Sequence, residues 1–287
     1  YTGTSMAAPN ISGFAALLME NFPEYSTALI SDILVSSSRD LDTPGVDLRS
    51  GWGAPQMDVA LRGPTALRDT RDVTVAGSTF DIWSNNIGDA RDRYSAEVLA
   101  SFPADIGGLT KRGGGELILT GSNSYSGATR VEQGTLTVNG ALTRSALTAI
   151  GGGTIGGTGS LASVTAASGG IVAPGNVGAI GTLTVAGTTT FAAGSQYLVD
   201  VGLPGTSDLI ATNRAVLSGG TAADTAVLSG GYFQLGVGPI SGSPGSAGGS
   251  ATGTILSGGF EAVFSGGVDS GATILLHGNQ VVSAGGF

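Results

Sequence analysis

From Gly108 onward the chain repeats one pattern, a run of four to six residues alternating between apolar and polar, closed by Gly or Asn. Glu116-Leu117-Ile118-Leu119-Thr120-Gly121 and Gly134-Thr135-Leu136-Thr137-Val138-Asn139-Gly140 are two instances. A period of two puts successive side chains on opposite faces of a strand, and Gly or Asn supplies the backbone freedom for a turn. Short strands between regular turns restrict the fold to a sandwich, a barrel or a solenoid. In the last stretch the repeat has a constant length. Thr254-Ile255-Leu256 returns as Thr273-Ile274-Leu275, Ala262-Val263 as Val281-Val282, and Ser265-Gly266-Gly267 as Ala284-Gly285-Gly286, all at the same offset. Val216-Leu217-Ser218-Gly219-Gly220 and Val227-Leu228-Ser229-Gly230-Gly231 are earlier, irregular copies. A period of roughly 19 residues fits a narrow solenoid, in which each unit buries its inner face only against the next.

Composition narrows the function classes. The 51 glycines would point to disorder if hydrophobicity were low, but the mean hydropathy of +0.27 is that of a chain able to build a core. A net charge of −9, with no basic run, disfavours nucleic acid and anionic membranes as partners. Without cysteine there is no disulfide framework, thiolate metal site or Cys nucleophile, and the compartment stays open. No apolar run of about 18 residues is present to span a bilayer as a helix.

The other informative stretch is Gly3-Thr4-Ser5-Met6-Ala7-Ala8-Pro9, which runs into an apolar segment with helical spacing. A Ser at a helix N-terminus faces unpaired N–H groups and the positive end of the macrodipole, and both stabilise an anion formed beside it. An ordinary N-cap accounts for one of these seven positions. The stretch resembles the nucleophile motif of the subtilisin-like serine proteases, Gly-Thr-Ser-Met-Ala-x-Pro, and Ser12-Gly13 continues the match. The resemblance implies that Ser5 is the catalytic nucleophile and that its own N–H is one oxyanion donor. Asn10 stands where that family often has His. Ile11, Phe14, Ala15, Leu17 and Leu18 predict an apolar helix face. Ser26 or Thr27 can cap a second helix carrying Leu29, Ile30, Ile33 and Leu34, and both helices are expected to be buried. Gly51-Trp52-Gly53-Ala54-Pro55, leading into Met57 to Leu61, resembles the turn and short helix that close a subtilase domain, so residues 1–62 read as its C-terminal part.

Residues 63–107 carry charges that alternate in sign, from Arg68 and Asp69 to Asp92 and Arg93, and read as a solvated connector, with isolated strands at Val73 to Val75 and Phe80 to Trp83. Within 108–215, Gly108-Leu109-Thr110-Lys111, Gly113 to Gly121 and Asn123-Ser124-Tyr125-Ser126-Gly127-Ala128-Thr129 resemble the passenger-associated transport repeat of bacterial autotransporters. Ala173-Pro174-Gly175-Asn176 through Val185 is also similar to autotransporter passenger sequence. Residues 216–287 resemble the short Gly-rich repeats of self-associating autotransporter adhesins, interrupted by a Gly/Ser/Pro loop from Gly236 to Gly253. The expected fold is mainly β: a right-handed parallel β-helix passenger preceded by a small α-helical remnant of an α/β subtilase domain. Leu117, Leu119, Leu136, Val138, Leu183 and Val185 are its inward candidates.

A subtilase triad runs Asp, His, Ser in chain order, so its Asp and His are expected upstream of Tyr1. The sole His, His277, lies in a repeat turn, and Asp32, Asp40, Asp42 and Asp47 follow Ser5 and read as capping or solvated loop residues. No cofactor is expected, and Asp40-Leu41-Asp42 with Asp47 lacks calcium-loop spacing, so no metal is either. Phe287 reads as an incidental end, since no series of lipid-facing strands precedes it. The resemblance implies an autotransporter serine endopeptidase at the cell surface or outside the cell, acting on protein or peptide. Its partners are an upstream protease segment, a downstream translocator barrel and, through the solenoid, further copies of itself. The rival reading is a non-enzymatic adhesin.

Overall fold

The computed structural model describes residues 3–200 and 206–218, and beyond them residues 221–223, 226–227, 232–235, 250–252, 255–256, 260–263, 268–274 and 278–282. His277, Phe287 and nearly all of the Gly236–Gly253 loop lie outside the described residues. The protein is mainly β, with its described helices before residue 102. It divides into two compact units, residues 1–146 and 147–287.

The first unit opens with helices α1 (Thr4–Asn21), α2 (Thr27–Ser36) and α3 (Met57–Ala60). α2 starts where Ser26 Oγ accepts the Leu29 N–H at 3.2 Å, the bond an N-cap serine is expected to make. Its expected apolar positions, Leu29, Ile30, Ile33 and Leu34, are all buried. α1 differs from expectation. Of its apolar positions only Leu18 is buried, while Ile11 and Leu17 are 38% and 51% exposed. Just past its end Phe22 stacks on Tyr25 at 4.7 Å, so the packing of α1 is concentrated at its C-terminal turn.

The strands that follow are β1 (Ala66–Leu67), β2 (Thr70–Thr74), β3 (Phe80–Trp83), β4 (Gly88–Asp89), β5 (Gly108–Arg112), β6 (Glu116–Leu119), β7 (Ser122–Asn123), β8 (Thr129–Val131), β9 (Thr135–Val138) and β10 (Ala141–Ala149). They pair in parallel: β2 with β5 and β5 with β8, β3 with β6 and β6 with β9, β1 with β4, and β7 with the start of β10. The register sets Glu116 of β6 against Thr135 of β9, and Leu109 of β5 against Thr129 of β8, steps that differ by a single position. Leu117 therefore lies over Leu136 and Leu119 over Val138, and all four are fully buried, as the alternation predicts. Each contributes roughly 1.5–3 kcal/mol by leaving water.

The stretch 63–107 corrects the expectation of a solvated connector. Its β2 and β3 begin both parallel stacks, and Leu67, Val73, Trp83, Ile87 and Ala90 are buried. Its charges are partly inside as well: Asp89 is fully buried, accepting the N–H groups of Gly107 at 2.8 Å and Ser126 at 2.9 Å. The transport-repeat residues tie one level to the next. Asn123 accepts the Ile87 N–H at 3.1 Å, and Tyr125 Oη, Thr129 Oγ1 and Ser145 Oγ form a buried hydroxyl chain ending on the Gly127 carbonyl. A Cβ on Gly121 would collide with the Asn85 carbonyl, which accounts for Gly at that turn.

Lys111, the single lysine of the sequence, is fully buried; its ammonium donates to the carbonyls of Arg112 (2.7 Å), Gly113 (2.8 Å) and Gln133 (3.3 Å). Burial lowers its pKa to about 8, with the nearby charge of Asp81 opposing the shift.

In the second unit the pairings between strands are again parallel. Thr154–Gly157 pairs with Ile171–Pro174 and that strand with Gln196–Tyr197, while Ser160–Ala166, Thr182–Ala192 and Leu209–Ser218 form a second stack. Leu183 and Val185 point inward as expected. The stack continues through Tyr232–Leu235, Phe260–Val263 and Asn279–Val282. Its last step is the sequence repeat itself, Ala262 opposite Val281 and Val263 opposite Val282. Beside it Ile255 faces Thr273 and not Ile274, its counterpart in the sequence repeat, so the register there is one residue shorter than the repeat. Other steps run longer, as from Tyr232 to Phe260.

Two tests follow from the first unit. Leu119→Asp should cost about 4 kcal/mol or more in urea unfolding, a lost core side chain plus an unpaired buried charge, whereas Ile82→Asp, 47% exposed, should cost less than about 1 kcal/mol. The second concerns pH. Lys111 holds its proton up to about pH 8 when folded and up to its ordinary 10.5 when unfolded, so the unfolded chain binds more protons between these values. The contribution of Lys111 to stability should then rise with pH from about 8 to 10, so the urea midpoint of the parent chain should gain on that of Lys111→Met over that range. Parallel profiles for the two proteins would contradict the assignment.

Candidate active site

Ser5 is the second residue of α1, and its position depends on the residue before the helix. Gly3 has φ 147° and ψ 165°, a conformation open to glycine and costly for any other residue. Among the described residues no side chain caps this terminus, and no acidic residue lies in the first turn to offset the positive end of the helix. The Met6 N–H bonds back to the Gly3 carbonyl at 3.0 Å, which closes the first turn around Ser5. Pro9 lies inside the helix four residues on and has no N–H to offer the Ser5 carbonyl. Beyond it Asn10 Nδ2 donates to the Met6 carbonyl at 3.3 Å, and Ser12 Oγ to the Ala8 carbonyl at 3.2 Å. Asn10 is thus occupied with its own helix.

Ser5 is exposed, and among the described residues its hydroxyl has no hydrogen-bond partner. Exposed beside the motif are Met6, at 50%, and Ile11. The arrangement provides a nucleophile, its own N–H and a helix dipole, the parts that stabilise an oxyanion in acyl transfer. A base is not among them, because the described residues include no imidazole.

The four aspartates after Ser5 are placed as follows. Asp40 accepts the Gly45 N–H at 2.7 Å, Asp47 accepts the N–H groups of Arg49 and Ser50 at 2.7 Å, and Asp42 lies 3.6 Å from the Arg49 guanidinium. These three are loop residues, as expected. Asp32 is not. It is 1% exposed in the middle of α2, and its carboxylate takes Arg68 Nε and Arg71 Nε at 2.6 Å each. Two guanidiniums on one buried carboxylate make it a structural anchor with no spare oxygen for catalysis. Among the described residues no group of three His, Cys, Asp or Glu is placed to hold a metal.

Sequence reasoning missed a second anchor. Tyr25 Oη donates to Asp81 Oδ2 at 2.6 Å and accepts the Trp83 indole N–H at 3.1 Å, with the Tyr25 and Trp83 rings edge to face at 6.0 Å. Burial, then the Asp81 charge, raises the Tyr25 pKa, so the phenol stays protonated and donating. The alternation in Phe80-Asp81-Ile82-Trp83 marked a strand, but nothing in it pointed to Tyr25, far earlier in the chain.

Residues 1–53 match the family model described as the subtilase family, and residues 109–138 the one described as the passenger-associated-transport-repeat. The chain is 35% identical over 142 residues to an extracellular serine protease of Serratia marcescens, a match covering 42% of this chain and 14% of that protein. It is 32% identical over 124 residues to the Neisserial autotransporter lipoprotein NalP of Neisseria meningitidis serogroup B, covering 42% and 10%. With fervidolysin of Fervidobacterium pennivorans it shares 39% identity over 111 residues, covering 37% and 16%. The matched part is therefore less than a fifth of the length of each of these relatives.

Proposed function

We infer, from a subtilase segment followed on one chain by a passenger-associated transport repeat, that this is the protease-to-passenger region of a subtilase-type autotransporter. The activity is serine endopeptidase, with Ser5 as nucleophile. The observation that carries the assignment is Ser5 on the first turn of an 18-residue helix, behind a glycine whose φ only glycine readily adopts. Ser5 Oγ attacks the scissile carbonyl as a His takes its proton, and the Ser5 N–H donates to the oxyanion that forms. The His returns that proton to the leaving amine, and water then releases the acyl group. The Asp and His come from a subtilase segment outside this chain.

The parallel stacks support a right-handed β-helix, with the transport repeat forming coils of the passenger that serves secretion. A transport repeat and relatives named as extracellular protease and autotransporter lipoprotein support a place at the cell surface or outside the cell. The substrate is protein or peptide, and a translocator barrel is the passenger's partner in the whole protein.

Two linked outcomes are expected. The 287-residue chain by itself should neither cleave an unfolded protein nor react with a serine-directed fluorophosphonate, because among the described residues no imidazole is placed beside Ser5 as its base. Joined to an N-terminal subtilase segment carrying the Asp and His, it should do both, and Ser5→Ala should abolish both. Labelling and cleavage that survive Ser5→Ala would overturn the assignment. A joined protein that folds, stays unlabelled and self-associates would favour the adhesin.

A further inference from the structure

We propose that the helical end of the protease-like segment is the cap of the parallel stack that follows, and that cap and first strands open and close as one cooperative unit. A parallel stack ends in strands whose outer edge has no neighbour, and such an edge invites pairing with another chain. Among the described residues of the first unit those strands are β2 and β3. Each is tied to the helical segment by a different bond. Asp32 of α2 holds Arg71 of β2 at 2.6 Å, and with it Arg68 just before the strand. Tyr25, between α1 and α2, holds Asp81 of β3 at 2.6 Å and Trp83 at 3.1 Å. After α3, the Arg62 carbonyl accepts the Ser84 N–H at the end of β3.

The chemistry of these ties makes them act together. Asp32, Trp83 and Val73 are buried, so lifting the helices exposes apolar surface on the strands and separates a carboxylate from both its guanidiniums in one step. No intermediate leaves the charges paired and the helices free. α2 has ten residues, too short to persist in water by itself, so its helicity depends on this seat. The stack in turn depends on Asp32 of α2 to neutralise Arg68 and Arg71. Neither half is a domain that the other merely adjoins, although the sequence changes character between them.

Native-state hydrogen exchange on the 287-residue chain, in increasing sub-denaturing urea, tests this directly. The amides of Ile33 and Leu34 in α2 and of Leu117 and Leu119 in β6 should exchange through one opening, with the same urea dependence. Exchange in α2 tenfold or more faster than in β6, through a separate and smaller opening, would overturn the proposal. Tyr25→Phe, a mild change that removes only the hydroxyl, should speed exchange in α2 and β6 by similar factors. Acceleration confined to α2 would likewise overturn it.

Discussion

A carboxylate that cannot reach water has to find its charges inside, and Asp32 finds two of them on a different part of the chain. That single requirement joins the helical segment to the strands. An unpaired Asp32 in the middle of α2 would destabilise the helix by several kcal/mol, and Arg68 and Arg71 without it would leave buried or half-buried cations over the first strands. On the two sides of the clamp the apolar residues are buried: Leu29, Ile30 and Ile33 in the helix, Leu67 and Val73 in the strand region. Tyr25, Asp81 and Trp83 repeat the principle with a neutral intermediary, a phenol that donates to a carboxylate while accepting from an indole.

Beyond that junction the fold propagates by repetition. Once β2 and β3 are fixed, the following strands of the first unit add in parallel, β5 and then β8 on β2, β6 and then β9 on β3, and inward residues stack like on like, Leu117 on Leu136 and Leu119 on Val138. Polar residues of the transport repeat stay inside only where their bonds are complete. Asn123, Tyr125 and Thr129 are each satisfied, and Lys111 spends its ammonium on three turn carbonyls. In the second unit satisfaction is less complete: Glu261 and Asp269 share one Gln280 amide, at 2.7 Å and 3.3 Å, and burial raises Glu261 to about 7.

Most of this regular part was legible in the sequence, because alternation and glycine spacing are local signals. The six inward positions named from the pattern are all buried, and so are the four of α2. What escaped were contacts between distant residues. Arg68 and Arg71 look like members of a solvated charge run, and their partner lies 36 and 39 residues earlier. α1 shows the converse limit: its apolar face is patterned for burial, yet Ile11 and Leu17 are exposed. The Ser5 motif was legible as residues, and its geometry adds the backbone conformation of Gly3 and a first helical turn without an acidic residue.

One buried charge cluster makes the protease-like helices and the first strands of the β-stack a single body, and a double-mutant cycle on Asp32→Asn and Arg71→Gln, read by urea unfolding of the chain, measures this most directly. If the pair holds the two parts together, the two changes will be non-additive by about 1.5 kcal/mol or more, because after the first there is no pair left for the second to break. Additivity to within about 0.5 kcal/mol would contradict the account.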